Sequence, residues 1–296
     1  MNKPSSLPNA NTADEANVLP SEEDIRLYEE RGWHITPPIL EPEFLDGIIE
    51  AIEAHQRGER DRPLPRKGAK YSDWNSGETD GVRNNEFCSL QNDKVRELVL
   101  RPIIGEIAAR LARSPAVRVF DDQAIHKPAS SGEHAESAVG WHTDGSYWST
   151  CTSDRMLTAW IPMADTSVDN GTLCVIEGSH LWPESDHVRG FNDKELGTIA
   201  SRIGRDIPAE AIRAIELKKG QVSFHHMRTL HASSPNVSGR PRFAVALHMQ
   251  DDGNRHQEFV TPDGTRIALP HDQLCRADEN GHPDYTDPAV FPQIWP

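Results

Sequence analysis

Residues 220–249 read GQVSFHHMRTLHASSPNVSGRPRFAVALHM, and this stretch decides the fold class. Large apolar residues stand at every second position from Phe243 to Met249, and again at Val222 and Phe224. Side chains of a β-strand point alternately to its two faces, so this period of two predicts two half-buried strands. The segment SGRP at 238–241 supplies a turn before the second strand.

The same period of two recurs upstream, after a part of the chain that has helical periodicity. The alternating positions are Val117 and Val119, then Leu157, Ala159, Ile161 and Met163, then Leu173 and Val175. Turn signals such as DNG at 169–171 and KKGQ at 218–221 separate these strands. Helices that come first and short strands that follow predict an antiparallel sandwich or barrel backed by helices.

Three helices are predicted before the strands. The first begins at Ser21, which resembles a capping box with Asp24, and ends at Gly32. The second follows Pro42 and runs to about His55. Pro102 opens the third helix.

Two further segments carry no regular pattern. Residues 1–20 are rich in Asn, Ser, Pro and Ala, and are expected to be a disordered leader. Residues 21–296 are then expected to form a single domain that ends in a C-terminal extension of 48 residues. Residues 57–87 are expected to form a long loop, either a solvated linker or a lid. Its basic part, 57–70, would suit the phosphates of a coenzyme A ester.

Composition excludes several classes of partner. The formal net charge is -15, which disfavours nucleic acid and anionic lipid. The four cysteines form no CxxC pair, so neither a zinc knuckle nor a dithiol site is indicated. No apolar run approaches the roughly 18 residues of a membrane span, and no signal-peptide pattern is present. We therefore expect a cytoplasmic protein whose partner is a small molecule.

A histidine and an acid two positions apart on a strand lie on one face and can bind one metal ion. Four such pairs occur, at His134/Glu136, His142/Asp144, His256/Glu258 and His282/Asp284. Three of them lie in polar or proline-containing segments that indicate surface histidines. The His142/Asp144 pair lies in VGWHTDGSYW, where Trp141, Tyr147 and Trp148 can shield a pocket.

A third ligand is expected downstream, and His225, His226 and His231 are the candidates. Two histidines and one carboxylate leave coordination positions open, which is typical of iron(II) oxygenases. A closed structural zinc site would need a fourth ligand, usually cysteine, and no cysteine stands beside these residues.

At this point the sequence resembles the phytanoyl-CoA dioxygenase family of Fe(II)/2-oxoglutarate-dependent oxygenases. The likeness is carried by YEERGWHITPPILEPEFL at 28–45, WHTD at 141–144, NGTLCVIEGSH at 170–180 and the LHxSxPNxSxxxR element at 230–242. It implies a mainly β fold with flanking helices, the double-stranded β-helix, a jelly-roll or cupin-like barrel. It implies Fe(II) as cofactor, with 2-oxoglutarate and dioxygen as co-substrates.

The resemblance also assigns individual residues. It makes His231 the third iron ligand beside His142 and Asp144, and Arg242 the co-substrate arginine, with Arg240 as its competitor. Ser233 would help to hold the same 2-oxoglutarate carboxylate. Lys127, in a matching KP element, would lie near the co-substrate or be a plain surface lysine. His180 of the GSH element would have a structural role in a turn.

The resemblance implies hydroxylation of an unactivated C–H bond of a small metabolite. A desaturase, cyclase or epimerase would use the same three ligands, whereas a halogenase would lack Asp144. A catalytically silent binding barrel and a zinc hydrolase are the rival hypotheses from other classes.

Overall fold

The structure, a computed structural model, describes residues 18–76, 81–129 and 137–296. The predicted leader at 1–20 lies outside these residues except for its last three positions. The HxE pair His134/Glu136 lies outside them as well. The four cysteines, at positions 88, 151, 174 and 275, are free thiols.

The strands alternate between two antiparallel sheets. In chain order they are β1 (Trp33–Ile35), β2 (Arg83–Glu86), β3 (Val117–Lys127), β4 (Val139–His142), β5 (Leu157–Pro162), β6 (Leu173–Ile176), β7 (Ile212–Ala214), β8 (Ser223–His226), β9 (His231–Ser233), β10 (Arg242–Asp251), β11 (Phe259–Val260), β12 (Arg266–Ile267) and β13 (Gln293–Trp295). Within the described ranges, the major sheet has the order β1-β8-β5-β10-β3-β13, and β2 also pairs with β3. The minor sheet has the order β4-β9-β6-β7, and β11 and β12 form a separate pair.

Helices flank the major sheet. They are α1 (Glu22–Arg31), α2 (Pro42–Gln56), α3 (Cys88–Gln91), α4 (Asp93–Val99), α5 (Pro102–Leu111), α6 (Ile199–Ile203) and α7 (Pro270–Leu274). Short 3-10 turns occur at Asp144–Tyr147, Val168–Asn170, Ser179–Leu181, Pro183–Ser185, Leu196–Thr198 and Ala209–Ala211. The three predicted helices are confirmed as α1, α2 and α5. The capping box of Ser21 and Asp24 is present, and Gly32 ends α1 at φ 82°.

The strand β10 shows why the sheet has two different faces. Phe243, Val245, Leu247 and Met249 point to the side where they join the helices in the largest hydrophobic cluster. Ala244 and Ala246 point to the other side and pack with residues of the minor sheet, such as Leu173 and Val175. The two sheets therefore enclose an interior, which confirms the predicted mainly β fold with flanking helices.

Two segments without a regular sequence pattern contain regular elements that were not predicted, namely β2, α7 and β13. The loop predicted at 57–87 contains β2, which pairs with β3 through Arg83↔His126 to Glu86↔Gln123. The extension contains α7 and β13, and β13 pairs with β3 through Gln293↔Arg118 and Trp295↔Val117. Strands β2 and β13 are short edge strands with no clear periodicity of their own, and each forms by pairing with the distant strand β3.

We propose that residues 21–296 form one domain. A single hydrophobic cluster contains Ile25 of α1 and Ile294 of β13, and therefore joins the two ends of this range. Gly105 of α5 supports the same conclusion, because a Cβ there would lie 2.6 Å from Ile294 Cγ2.

Substitution of Gly32 tests how the junction between α1 and β1 is packed. A Cβ at Gly32 would lie 2.5 Å from both His180 Nδ1 and Thr229 Oγ1, whereas one at Gly58, also at positive φ, would meet nothing within 4 Å. We expect Gly58→Ala to cost about 1–2 kcal/mol from the backbone alone. Gly32→Ala should lose a further ~1–3 kcal/mol from overpacking. Urea denaturation of both variants measures the difference, and equal losses would contradict this account of the junction.

Candidate active site

Pairing of two strands brings the predicted metal-binding residues together. His142 ends β4, His231 begins β9, and the register of this antiparallel pair sets the two residues opposite each other. Asp144 follows two residues after His142, at the start of a 3-10 turn. Its Oδ1 lies 3.9 Å from His142 Nε2 and 3.4 Å from His231 Nε2. Their ligand atoms all lie within 4.8 Å of one another, and all three residues are buried.

Hydrogen bonds orient each of these side chains. His142 Nδ1 lies 2.8 Å from the carbonyl of Gly140, and His231 Nδ1 lies 2.9 Å from that of Thr229. A carbonyl can only accept, so both rings donate from Nδ1 and direct Nε2 towards Asp144. Thr158 Oγ1 donates to Asp144 Oδ2 at 2.6 Å. Oδ1 therefore remains for the centre of the cluster.

His225 and His226, the rivals of His231, have other contacts. His225 Nε2 lies 3.2 Å from Asp144 Oδ2, so it contacts the oxygen that Thr158 also binds. His226 is half-buried and its ring lies 5.3 Å from that of His180. In the described part of the chain, no other group of at least three histidine, cysteine or acidic side chains has metal-binding geometry, and this one includes His231.

The remaining HxD and HxE pairs form no such group where they are described. His256 Nε2 lies 3.9 Å from Asp272, and its ring lies 6.2 Å from that of His282. Asp284 instead accepts from Arg276 Nε at 2.9 Å. His282 is exposed, as expected of a surface histidine, but the side chain of His256 is only 9% exposed, so the prediction of a surface position is wrong for His256.

Electrostatics favour a cation at the centre of the cluster. Burial and the nearby His231 lower the pKa of His142 to about 3, which keeps its Nε2 lone pair free. Burial raises the pKa of Asp144, but the charges of His231 and His248 and its hydrogen bonds outweigh burial and hold this pKa well below the usual range. Two imidazoles and one ionised carboxylate on one face suit iron(II).

Two buried basic side chains lie at the other end of the same face. Lys127 of β3 and Arg242 of β10 are directly opposite in register, with exposed fractions of 0% and 5%. Lys127 Nζ donates to Ser233 Oγ at 2.6 Å and to the Ser234 carbonyl at 2.7 Å. Burial lowers the pKa of Lys127 well below its usual range, and the Arg242 charge adds to this. The alternative that Lys127 is a plain surface lysine is therefore wrong.

Arg242 lacks partners in the described structure. Its Nε and Nη1 are buried and have no hydrogen-bond partner, and no carboxylate of the described residues forms an ion pair with it or with Lys127. Its guanidinium carbon lies 5.2 Å from the centre of the Trp160 ring. Burial lowers the pKa of Arg242 to about 10, so it remains charged at neutral pH. An unpaired buried charge is costly, so this arrangement calls for an anion. Arg240, its competitor, is exposed.

Two cavities meet at the cluster. A narrow cavity of about 50 Å³ is bordered by His231, Ser233 and Arg242. A wide cavity of about 740 Å³ is bordered by Tyr147 and Trp148. His142 and Asp144 border both. The arrangement separates an anion-binding end from a larger chamber, with the cluster between them.

Several residues of these cavities were missed or misjudged in the sequence. Trp141 does not line either cavity; it points away from His142, and its Nε1 donates to the Leu196 carbonyl at 2.9 Å. Adjacent residues of a strand point to opposite faces, so the position of Trp141 next to His142 in β4 could have shown this. Glu86, Asp121 and His271 line the wide cavity and were not identified. No local signal marks them, because they come from β2, β3 and α7.

The GSH element has a structural role, as its resemblance implied. His180 is buried, and its Nε2 lies 3.0 Å from the carbonyl of Glu29 at the end of α1. Gly178 N donates to the carbonyl of Arg31 at 2.8 Å. The element therefore fixes the end of the first helix and contributes no ligand.

Comparison with known proteins identifies the family. The model of the family described as phytanoyl-CoA dioxygenase (PhyH) matches residues 28–244, more than half of the chain. The chain belongs to the phytanoyl-CoA dioxygenase family. Membership confirms the predicted enzyme class, a dioxygenase that uses iron and 2-oxoglutarate, and the three clustered residues and the unpaired Arg242 fit these two groups.

Relatives in this family differ in their substrates. The chain is 27% identical to a probable alpha-ketoglutarate-dependent hypophosphite dioxygenase of Stutzerimonas stutzeri, over 75% of this chain and 76% of that protein. It is 24% identical to an ectoine dioxygenase of Bordetella bronchiseptica, over 84% and 82% of the two chains.

Solved structures support the fold. The alpha-ketoglutarate-dependent carbocyclase SnoK from nogalamycin biosynthesis superposes with a TM-score of 0.67 at 24% identity, covering 94% of this chain and 97% of that one. The epimerase SnoN, in a complex with Fe3+, alpha-ketoglutarate and nogalamycin RO, gives 0.67 at 23% identity, covering 92% and 98%. The predicted double-stranded β-helix is confirmed. Within the described ranges, no helix has the length and apolar character needed to cross a membrane.

Proposed function

We propose that His142 Nε2, Asp144 Oδ1 and His231 Nε2 hold the iron(II) of this family member. The proposal rests on one observation: both imidazoles are oriented by backbone carbonyls so that Nε2 faces the same carboxylate oxygen. Thr158 occupies the other oxygen and so leaves Asp144 as a ligand through Oδ1. The open face of these ligands borders both cavities, so a co-substrate and a substrate can approach from different sides.

Arg242, Ser233 and Lys127 are proposed to hold the far carboxylate of 2-oxoglutarate. The guanidinium fork can meet a carboxylate through two hydrogen bonds, and its Nε and Nη1 have no other described partner. The Ser233 hydroxyl lies two residues past His231, on the same strand face. Lys127 Nζ donates a hydrogen bond of 2.6 Å to that hydroxyl and so orients it.

The reaction proposed is hydroxylation of an unactivated C–H bond of a small molecule. Iron and 2-oxoglutarate, when bound, supply the oxidant that removes the hydrogen atom. The protein holds the C–H bond in the wide cavity beside His142 and Asp144, where Trp148 and Phe191 limit the access of water. Hydroxylation needs only this positioning. A desaturase, cyclase or epimerase with the same ligands is the alternative, as the carbocyclase SnoK and the epimerase SnoN illustrate.

The rival hypotheses predict other properties. A halogenase is disfavoured because Asp144 occupies the position that would need a small residue. A catalytically silent barrel has no need for a buried arginine that borders the narrow cavity without an ion-pair partner among the described residues. A zinc hydrolase predicts zinc in the purified protein and turnover without oxygen.

An anaerobic titration with iron(II) and 2-oxoglutarate tests the proposed function. We expect the weak visible charge-transfer band of the iron complex in the wild type and its loss in His142→Ala, because two ligands hold the metal weakly. Metal analysis of both proteins serves as the control. Absence of the band from the wild type, or stoichiometric zinc with oxygen-independent turnover, would overturn the proposal.

The assignment of Arg242 predicts a specific loss of 2-oxoglutarate affinity. Arg242→Met removes a charge-assisted contact of about 1.5–3 kcal/mol, so the dissociation constant should rise about 10- to 100-fold. Arg240→Met is the matched control, since it removes the same charge two residues away at an exposed position. Calorimetric titration of the iron-loaded, oxygen-free proteins compares them. A larger loss in Arg240→Met would reverse the assignment.

The hydroxyl of Thr158 should tune iron binding although it is not a ligand. Thr158→Val leaves Asp144 Oδ2 without its donor at 2.6 Å, so iron(II) affinity should fall about 10- to 100-fold. Thr172→Val removes another fully buried hydroxyl, one that binds the Ile215 carbonyl. Competition with a chromogenic chelator measures both. If the two variants weaken iron binding equally, Thr158 has no special role.

A further inference from the structure

The wide cavity contains acceptor groups that the proposed iron and 2-oxoglutarate sites do not use. We infer that the substrate is a small molecule with a positively charged nitrogen group and an apolar body, and that Glu86 and Asp121 bind the nitrogen. This inference rests on the proposed function for the location of the substrate, beside His142 and Asp144.

Asp121 is the central observation. It is 5% exposed, lines the wide cavity, and its Oδ1 has no hydrogen-bond partner among the described residues. Its Oδ2 lies 2.6 Å from His271 Nε2, so that oxygen is occupied. The atom nearest to Oδ1 in an ion-pair contact is His248 Nε2 at 3.5 Å, without hydrogen-bond geometry. A buried carboxylate oxygen without a donor is costly unless a ligand supplies one.

His248 explains why Oδ1 lacks a donor. Thr158 Oγ1 donates its only proton to Asp144, so it accepts from His248 Nδ1 at 2.8 Å. His248 Nε2 lies 3.5 Å from Asp121 Oδ1 without hydrogen-bond geometry, so His248 does not supply the donor that this oxygen lacks. A substrate ammonium group in the wide cavity, which Asp121 lines, would supply this donor. It would then lie one imidazole ring away from the proposed iron ligand Asp144.

Glu86 adds a second acceptor on the same wall. It is half-buried on β2, and its Oε2 accepts from Ser72 N at 2.8 Å. No lysine or arginine in the described ranges forms an ion pair with Glu86 or Asp121. Burial and the Asp121 charge raise the pKa of Glu86 to about 7. Burial chiefly raises the pKa of Asp121 to about 6. A bound cation would stabilise the ionised form of both carboxyl groups.

The described lining of the wide cavity includes no lysine or arginine, whereas the narrow cavity ends at Arg242. The basic segment 57–70 does not reverse this charge. Arg60 Nη2 binds both oxygens of Asp73, at 2.9 and 3.1 Å, and Arg66 and Lys67 are exposed and away from the lining. Phosphate groups of a coenzyme A ester would therefore face carboxylates. The hypothesis of a phosphate-binding patch gains no support from these contacts.

Aromatic side chains supply the place for an apolar body. Tyr71, Trp74, Tyr147, Trp148 and Phe191 line the wide cavity. Such faces pack against rings or aliphatic carbons and also attract cations. A volume of about 740 Å³ admits a metabolite of moderate size.

Three probes of one shape and different charge test the inference. Phenethylamine is cationic, 2-phenylethanol is neutral and 3-phenylpropionate is anionic. Calorimetric titrations are made without oxygen on the protein loaded with iron(II) and 2-oxoglutarate, and in parallel on the metal-free protein. We expect the amine to bind at least tenfold more tightly than the alcohol, and the anion more weakly than both.

Substitutions locate the binding group. Glu86→Gln and Asp121→Asn should each weaken amine binding about tenfold and leave alcohol binding within twofold. Glu210→Gln is the control, because it removes the same charge from an exposed residue on the turn Ala209–Ala211. Thermal unfolding checks that each variant is folded. If Asp121→Asn is not folded, Glu86→Gln and the wild-type probe series decide the question.

The pH dependence supplies an independent readout. Glu86, which Asp121 of β3 and His271 of α7 face, binds a cation as the carboxylate, so amine affinity should rise by up to about tenfold from pH 6 to pH 8. This rise should be much smaller in Glu86→Gln, in which only Asp121 still gains charge as the pH rises. Failure of the amine to bind more tightly than the alcohol, in either form of the protein, overturns the inference. A protein that binds the amine but neither iron nor 2-oxoglutarate overturns the proposed function instead.

Discussion

The two faces of the central strand β10 have different roles: one face packs in the hydrophobic core and the other borders the candidate site. Hydrogen-bonded to β3 on one side and β5 on the other, the strand cannot shift without losing both partners. Its outward residues, from Phe243 to Met249, pack under the helices, while Arg242 and His248 face the interior. A slip of one residue would bury the guanidinium under the helices and expose the core to the cavity. The position of the anion-binding end is therefore fixed by the same alternation that stabilises the sheet.

Charge is arranged along the interior in a definite order. The basic side chains of Lys127 and Arg242 lie at one end, the cluster around Asp144 lies in the middle, and the carboxyl groups of Glu86 and Asp121 line the wide cavity beyond it. Each of these charges is costly to bury alone. Together they favour the binding of an anion at one end, a metal cation in the middle and a hydrogen-bond donor in the wide cavity. The buried unpaired groups, each of which is costly alone, are therefore the physical basis of ligand recognition.

Features of the fold and the site that depend on a few neighbouring residues could be predicted from the sequence. The capping box at Ser21, the period of two in β10 and the pair His142/Asp144 could all be recognised within a few residues. The selection of His231 over His225 needed the family resemblance, because both lie near Asp144 and only the strand register separates them. The acidic part of the wall of the wide cavity, with Asp121 and His271, could not be predicted. Asp121 and His271 are 150 positions apart, and only packing brings them within 2.6 Å.

The C-terminal segment shows why family membership defines the oxidant better than the substrate. The family match ends at residue 244, yet α7 lies beyond it and contributes His271 to the wide cavity. His271 stacks on Phe120 with ring centres 4.0 Å apart and holds Asp121 through its other oxygen. The residues proposed to bind iron and 2-oxoglutarate lie within the shared region, where one chemistry imposes one geometry. The wall that faces the substrate is completed from outside that region, so its chemistry can differ between relatives while the metal site remains the same.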